Sequence, residues 1–383
     1  MISNSLGSIL GGIIFFVSKT ERKRPFLIAD FVIIIGVIFS SFSNGELGLC
    51  FGRFFVGTGV SILTLSSPLL VSETWPTGTG LLASVGIWYQ TGQVAGDLLS
   101  WVSVLISNCS QNVNMFATCS HFTMSSFFFF FQLTWRMLRL TMLVPLVTQL
   151  AIIGCTNKLA FSGAQESFFD TLTNSTFRSS VFSAVIVQLT PYAAGMNVVA
   201  RVGPKSSPNF SVISVPVAVI GSILSFFFVK LLNLKKLLAF ALCLLSVELG
   251  ITALIVSSPA LKPWKVFLLS AYICTFTGSL GTIPTLFTVK SFSPGYRGTG
   301  LGYVSILSSC FVLICNLILD QSDSLKNSDS LSLGLYAFFT LLFFFIVLCF
   351  VENIEARKGG VEVNAETKAA EGNETSQTPT PPI

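Results

Sequence analysis

Charge is what this sequence is shortest of. Of its 383 residues only 10% are Asp, Glu, Lys or Arg and one is histidine, against 52% hydrophobic residues and 37 phenylalanines. A soluble protein carries about 25% charged residues, so the deficit excludes a solvated globular surface and points to an outer face that meets lipid. The single histidine, His121, leaves nothing from which to build a histidine metal cluster or a histidine-based triad. The nine cysteines are scattered singly, most in apolar surroundings and none with metal-ligand spacing, so they read as small hydrophobes and no metal site is expected. No nucleophile–base pair and no phosphate-cradling loop is present, so neither an enzyme nor a cofactor is expected. The net charge of +5 comes from basic residues in short loops, which excludes a nucleic-acid partner. Nor is a cleavable leader expected: Gly7 to Val17 is apolar but runs into a charged loop, not a small-residue cleavage site.

What fills the chain instead is a succession of apolar runs. A helix crosses a hydrocarbon layer of about 30 Å with about 20 such residues. Gly52 to Pro76 shows the pattern, with Arg53 near its start, a long uncharged stretch, then Glu73 and a proline. Its Gly52, Gly57 and Gly59 would let a neighbouring backbone approach closely. Other spans are predicted over Ser5–Val17, Phe26–Phe42, Leu81–Val104, Met137–Cys155, Phe182–Val202, Val212–Val229, Leu237–Ser257, Val266–Thr288, Gly298–Leu319 and Leu331–Val351. The total is about eleven spans in an all-α, polytopic membrane protein.

The densest basic cluster, Lys19 to Pro25, faces the cytoplasm by the positive-inside rule. That orientation puts the N-terminus outside, Arg53 at the outer end of its span and Glu73 at the cytoplasmic end. Sorted this way, fourteen of the 22 Lys and Arg are cytoplasmic. Residues 1–156 then form an N-terminal half and 157–181 a polar cytoplasmic connection. Residues 182–351 form a C-terminal half, and 352–383 a disordered polar tail. Residues 105–132 read as an insertion carrying His121 and the run Phe127 to Phe131, the product expected of a translated pyrimidine tract.

The order of the landmarks points to a family. GR-x3-G-x-G followed by P-x4-E-x2-P, carried by Gly52, Arg53, Gly57, Gly59, Pro68, Glu73 and Pro76, resembles the sugar porter branch of the major facilitator superfamily. TWR at Thr134 to Arg136, GMN at Gly195 to Asn197, GTIPT at Gly281 to Thr285 and FSPGYRG at Phe292 to Gly298 are similar to later motifs of that family. VENIEARKG at Val351 to Gly359 is a loose echo of its terminal motif. The resemblance implies two pseudo-symmetric six-helix halves around a central site that opens to either side in turn. The family's first helix has no counterpart in this reading. Its loop acid is displaced around Glu21, its Arg-Gly after the fourth helix falls on Thr79-Gly80, and its tenth-helix Glu falls on Lys290. Several sugar contacts are replaced as well, by Ile87, Thr285, Ser308 and Ser309.

A sugar needs amides and hydroxyls that replace its water, and an aromatic face. Asn197, Gln188, Gln90 and Gln93 are the candidate amides, and Trp88, Tyr89 and Tyr192 the aromatics. The same groups could equally serve to bridge helices. Asp97 is the candidate coupling acid for proton symport, against the reading of a solvated structural acid, and Glu248 has the same status. Glu73 with Arg297 reads as the remnant of a cytoplasmic gate, and Arg53 as an outer packing or interface anchor. The expected function is transmembrane movement of hexose-like sugars by alternating access, facilitative or proton-coupled, in a multi-pass protein of the plasma membrane whose partners are the bilayer and the solute. The alternatives are a transport-inactive paralogue acting as a sensor, or an incompletely read gene.

Overall fold

The structure, a computed structural model, describes residues 2–17, 23–43, 45–74, 175–196, 198–199, 202–203, 210–231, 233–256, 261–321 and 328–351. Its elements in chain order are α1 (Ile2–Val17), α2 (Lys23–Phe42), α3 (Glu46–Thr74), α4 (Ser175–Ala193), α5 (Phe210–Leu231), α6 (Leu234–Val256), α7 (Lys262–Gly278), α8 (Ile283–Ser291), a 3-10 turn (Pro294–Tyr296), α9 (Arg297–Gln321) and α10 (Asp329–Phe350). Among the described residues, six stretches are long and apolar enough to cross a membrane.

The first group of helices is built on α3, against which α1 and α2 both pack. The glycines singled out in the sequence sit at these contacts. A Cβ on Gly52 would come 2.9 Å from the carbonyl oxygen of Gly36, and one on Gly57 would come 2.6 Å from that of Asn4. Small residues replace hydrophobic drive here, because lipid tails are as apolar as leucine. Most hydroxyls of α3 turn back onto their own helix, Thr58 donating to the Phe54 carbonyl (2.9 Å), Ser66 to Ile62 (2.7 Å) and Ser67 to Leu63 (2.8 Å), while Ser61 crosses to the Ser8 carbonyl of α1 (3.0 Å). Such bonds satisfy polar groups where no water is available.

In the second group α6 packs on α7 and α10, α5 on α7, and α4 on α8, α9 and α10. Leu238, Leu242, Leu245 and Leu249 repeat at helical spacing along α6 and are almost wholly buried, with Leu269, Tyr272 and Leu333 in the same core. The opposite face of α6 carries Phe240, Val247 and Leu254, all exposed. A helix apolar all round belongs inside a large core or in a membrane. The two groups meet where α9 packs on α1 and α3, and where α8 touches α3.

Two features depart from the sequence reading. The span expected over 266–288 is not one helix. It breaks after Gly278, where the Gly281 N–H donates to the Phe276 carbonyl (3.0 Å), and α8 restarts with Pro284 in its first turn. Proline lacks the N–H that a helix interior needs but is well accepted at a helix start. In addition, α4 begins at Ser175, inside the stretch read as connection. The extra turn carries Phe177, whose burial among Phe292, Tyr296 and Tyr303 accounts for it.

Candidate functional site

A cavity of about 450 Å³ lies between the two groups, toward the end where α1 and α3 begin and α4 finishes. Asn4, Ser5 and Ser8 reach it from α1, all within about one helical turn. Ser40 comes from α2, and Gly52, Arg53 and Val56 from one turn of α3. Tyr192 on α4 and Ser309 and Val312 on α9 complete the lining from the other half. Serine hydroxyls, an amide, a guanidinium and a phenol ring therefore converge, and no carboxylate is among these lining residues. Ser8 donates to the Asn4 carbonyl (3.0 Å) and Ser40 to that of Val37 (3.0 Å), so both hydroxyls are oriented by the backbone of their own helices. Arg53 is exposed and makes no hydrogen bond or ion pair among the described residues. It is one of the residues that line the cavity.

The opposite end of the same seam is packed with aromatic side chains among the described residues. Phe16 at the end of α1 meets Tyr303 of α9 edge-on at 5.3 Å between ring centroids. Phe177 at the start of α4 lies 6.0 Å from Tyr303, 5.8 Å from Tyr296 and 5.6 Å from Phe292. Arg297 adds a polar tie across the halves. Its Nη1 donates to the Ser72 carbonyl (3.4 Å) and its Nε to that of Phe292 (3.3 Å). Gln188, deeper in α4, donates from Nε2 to the Thr288 hydroxyl on α8 (3.2 Å), a helix-bridging bond. Just past the end of α4 at Ala193, Gly195 has φ of +76°, the only positive φ among the described residues, with the Tyr336 ring against it.

Of the residues singled out in the sequence, Arg53 and Tyr192 reach the cavity, while Gln188 and Arg297 stand in the packed part of the seam. Gln90, Gln93, Asp97, Asn197 and the side chain of Glu73 lie outside the described residues. Sequence reasoning missed Asn4, Ser5, Ser8 and Ser40 as cavity groups. Their signal was available in part, since four polar residues at the outer ends of two apolar runs need a reason to be there. Ser309, noted only as a replacement, supplies a hydroxyl to the lining. Among the described residues no group of His, Cys, Asp and Glu could hold a metal ion.

A profile of the family described as "Sugar (and other) transporter" matches residues 1–358. The chain belongs to that family. Inositol transporter 4 of Arabidopsis thaliana is 32% identical over 97 residues, which is 25% of this chain and 16% of the relative. Myo-inositol transporter 1 of Candida albicans is 27% identical over 106 residues, 27% of this chain and 19% of the relative. The matched stretch thus spans less than a fifth of the length of these curated relatives. In three dimensions this sugar transporter family member is similar to the proton:xylose symporter XylE bound to 6-bromo-6-deoxy-D-glucose, with a TM-score of 0.66 at 16% identity over 92% of this chain and 87% of that one. The E. coli fucose:proton symporter FucP gives a TM-score of 0.61 at 14% identity over 90% and 88%. At those identities the likeness is one of fold alone.

Proposed function

We propose that this protein carries hexose-like solutes, cyclic polyols included, across a bilayer by alternating access. The single observation that carries the reading is the polar cavity lined from both halves at one end of a seam that is packed at the other. A polyhydroxylated solute trades its water for hydroxyl, amide and guanidinium groups, and Tyr192 offers a ring to pack on. The inositol transporters among the relatives and the xylose and fucose symporters among the fold neighbours support a sugar or polyol as cargo. With the basic loop at 19–24 on the cytoplasmic side, the packed end is cytoplasmic and the cavity faces outward.

In this reading Asn197, Gln188, Gln90 and Gln93 complete the ring of solute partners as the cavity deepens, Asp97 is the acid available for ion coupling, and Glu73 joins Arg297 in holding the cytoplasmic end. A solute-uptake role puts the protein in the plasma membrane, which a fluorescent fusion imaged against organelle markers would check. The decisive assay is uptake of radiolabelled myo-inositol, xylose and glucose by proteoliposomes holding the full chain, with Arg53→Gln alongside. Saturable uptake of at least one solute, weakened in the variant, is expected. Flux equal to that of empty vesicles for every solute would overturn the proposal.

A further inference from the structure

The cavity holds a charge that a neutral sugar leaves unanswered. Arg53 lies about two turns, or about 10 Å, from the start of α3, a helix long and apolar enough to cross a membrane. A guanidinium keeps its charge at any physiological pH and is costly inside a span, so it stands there against water, a partner or a ligand. Arg53 makes no hydrogen bond or ion pair among the described residues, and no carboxylate is among those that line the cavity with it. Of the carboxylates described in this group of helices, Glu46 is exposed at the start of α3, two turns away and screened by solvent. Asp30 is wholly buried on α2 and at another depth. A Cβ on Gly52 would meet the Ser40 side chain and one on Gly59 the Ala29 carbonyl oxygen, so Asp30 lies about 9 Å deeper than Arg53.

The groups around that cation suit a solute with hydroxyls as well as a charge. Asn4 brings an amide from α1, while Ser309 and Tyr192 bring a hydroxyl and a ring from the other half. At about 450 Å³ the space is of the size that takes a small ligand. A guanidinium presents its N–H groups as a planar fork that matches the two oxygens of a carboxylate, and a bond between charged partners is roughly twice as strong as a neutral one. A neutral hydroxyl occupies one donor of that fork and offsets none of its charge. One cation balances one negative charge, whereas a phosphate ester brings up to about two.

We propose that the cavity selects a polyhydroxylated carboxylate of hexose size, a hexuronate or another sugar acid with one acid group, holding the carboxylate on Arg53 and the hydroxyls on Asn4 and Ser309. A neutral hexose enters the same space, leaves the guanidinium uncompensated and binds more weakly. The proposal narrows the solute class of the transport reading above, and rests on that reading for the passage of the solute across the bilayer.

The test is direct binding of radiolabelled glucuronate and glucose to the purified full chain, read by scintillation proximity. Glucuronate should bind at least about tenfold more tightly than glucose, the lower end of what a hydrogen bond to a charged group contributes. Glucuronamide, which keeps the shape and the ring hydroxyls but carries no charge, should displace the label no better than glucose does. Arg53→Gln should weaken glucuronate binding by about tenfold or more and glucose binding by about threefold or less, with Arg53→Lys, which keeps the charge without the fork, in between. Equal affinities of the wild type for glucuronate, glucuronamide and glucose would overturn the proposal, as would undetectable glucuronate binding or an equal loss of both ligands in Arg53→Gln. The glucuronamide comparison needs no variant, so it decides even where Arg53→Gln fails to fold. Uptake of labelled glucuronate by proteoliposomes separates the two readings: selective binding without flux would leave the anion site standing and overturn transport.

Discussion

Gly195 holds a backbone conformation that other residues adopt only with strain, at φ of +76°, and a Cβ there would come 2.7 Å from the Tyr336 ring. The left-handed region costs an L-residue about 1–2 kcal/mol before any clash. Gly195→Ala should therefore destabilise the purified protein by at least about that much, read as a lower midpoint of thermal unfolding. An unchanged midpoint would show that the end of α4 relaxes freely. Asp30 presents the opposite case, since it is wholly buried on α2 and neither carboxyl oxygen has a hydrogen-bond partner among the described residues. Replacing an unpartnered buried polar group by an apolar one of similar size removes a desolvation cost of about 1–3 kcal/mol. Asp30→Val is expected to raise the unfolding midpoint, and a fall would reveal a partner in the working protein. Neither residue announced itself in the sequence: Gly195 belonged to a recognisable GMN motif, but its φ did not. Arg53 was singled out by sequence, but a position on a helix does not say whether that face meets a neighbour, lipid or a cavity.

At the scale of elements, apolar runs were readable because each needs only length and composition. The described helices from α1 to α10 all overlap predicted spans. The break between α7 and α8 was not readable in the same way. An apolar window averages across it, although Gly278, Gly281 and Pro284 within seven residues were the available signal. Nor was the early start of α4 readable, since its first turn is polar and is held by the burial of Phe177, a long-range contact. The bond from Tyr272 to the Ala194 carbonyl ties α7 to the end of α4. Tyr272→Phe removes a donor worth about 0.5–1.5 kcal/mol, a factor of about 2 to 10 in local opening. Hydrogen exchange should speed up by that factor at the amides of Gly195, Val198 and Val199, which close the turn. Unchanged exchange there would mean that the α4 terminus is held without the tyrosine.

For the whole molecule, the seam between the halves decides which end is open. Phe16 against Tyr303 is an aromatic pair across that seam, and such pairs contribute about 0.5–1.5 kcal/mol beyond the area they bury. Phe16→Ala should shift the balance of states toward opening at the packed end by a factor of about 2 to 10. A cysteine introduced at Ile306, which faces Gly12 across the seam, would report the shift as faster labelling by a thiol reagent in the Phe16→Ala background. Equal labelling rates would show that the aromatic contact does not hold the end closed. The two-half arrangement followed from sequence landmarks, whereas the cavity did not. Its lining is drawn from five helices, and only packing shows which serines share a space.

The bonds that Arg297 makes to Ser72 and Phe292 end on main-chain oxygens. An acceptor of that kind is present whatever side chain the position bears, so the tie is robust to sequence drift on one side and vulnerable on the other. Saturation mutagenesis scored by closure of the packed end should find Ser72 tolerant of small residues such as Ala and Gly. At Arg297 it should reject even Lys, whose ammonium cannot span two carbonyls with a fixed fork. Over many generations such a latch would leave its mark in one column of residues and none in the other.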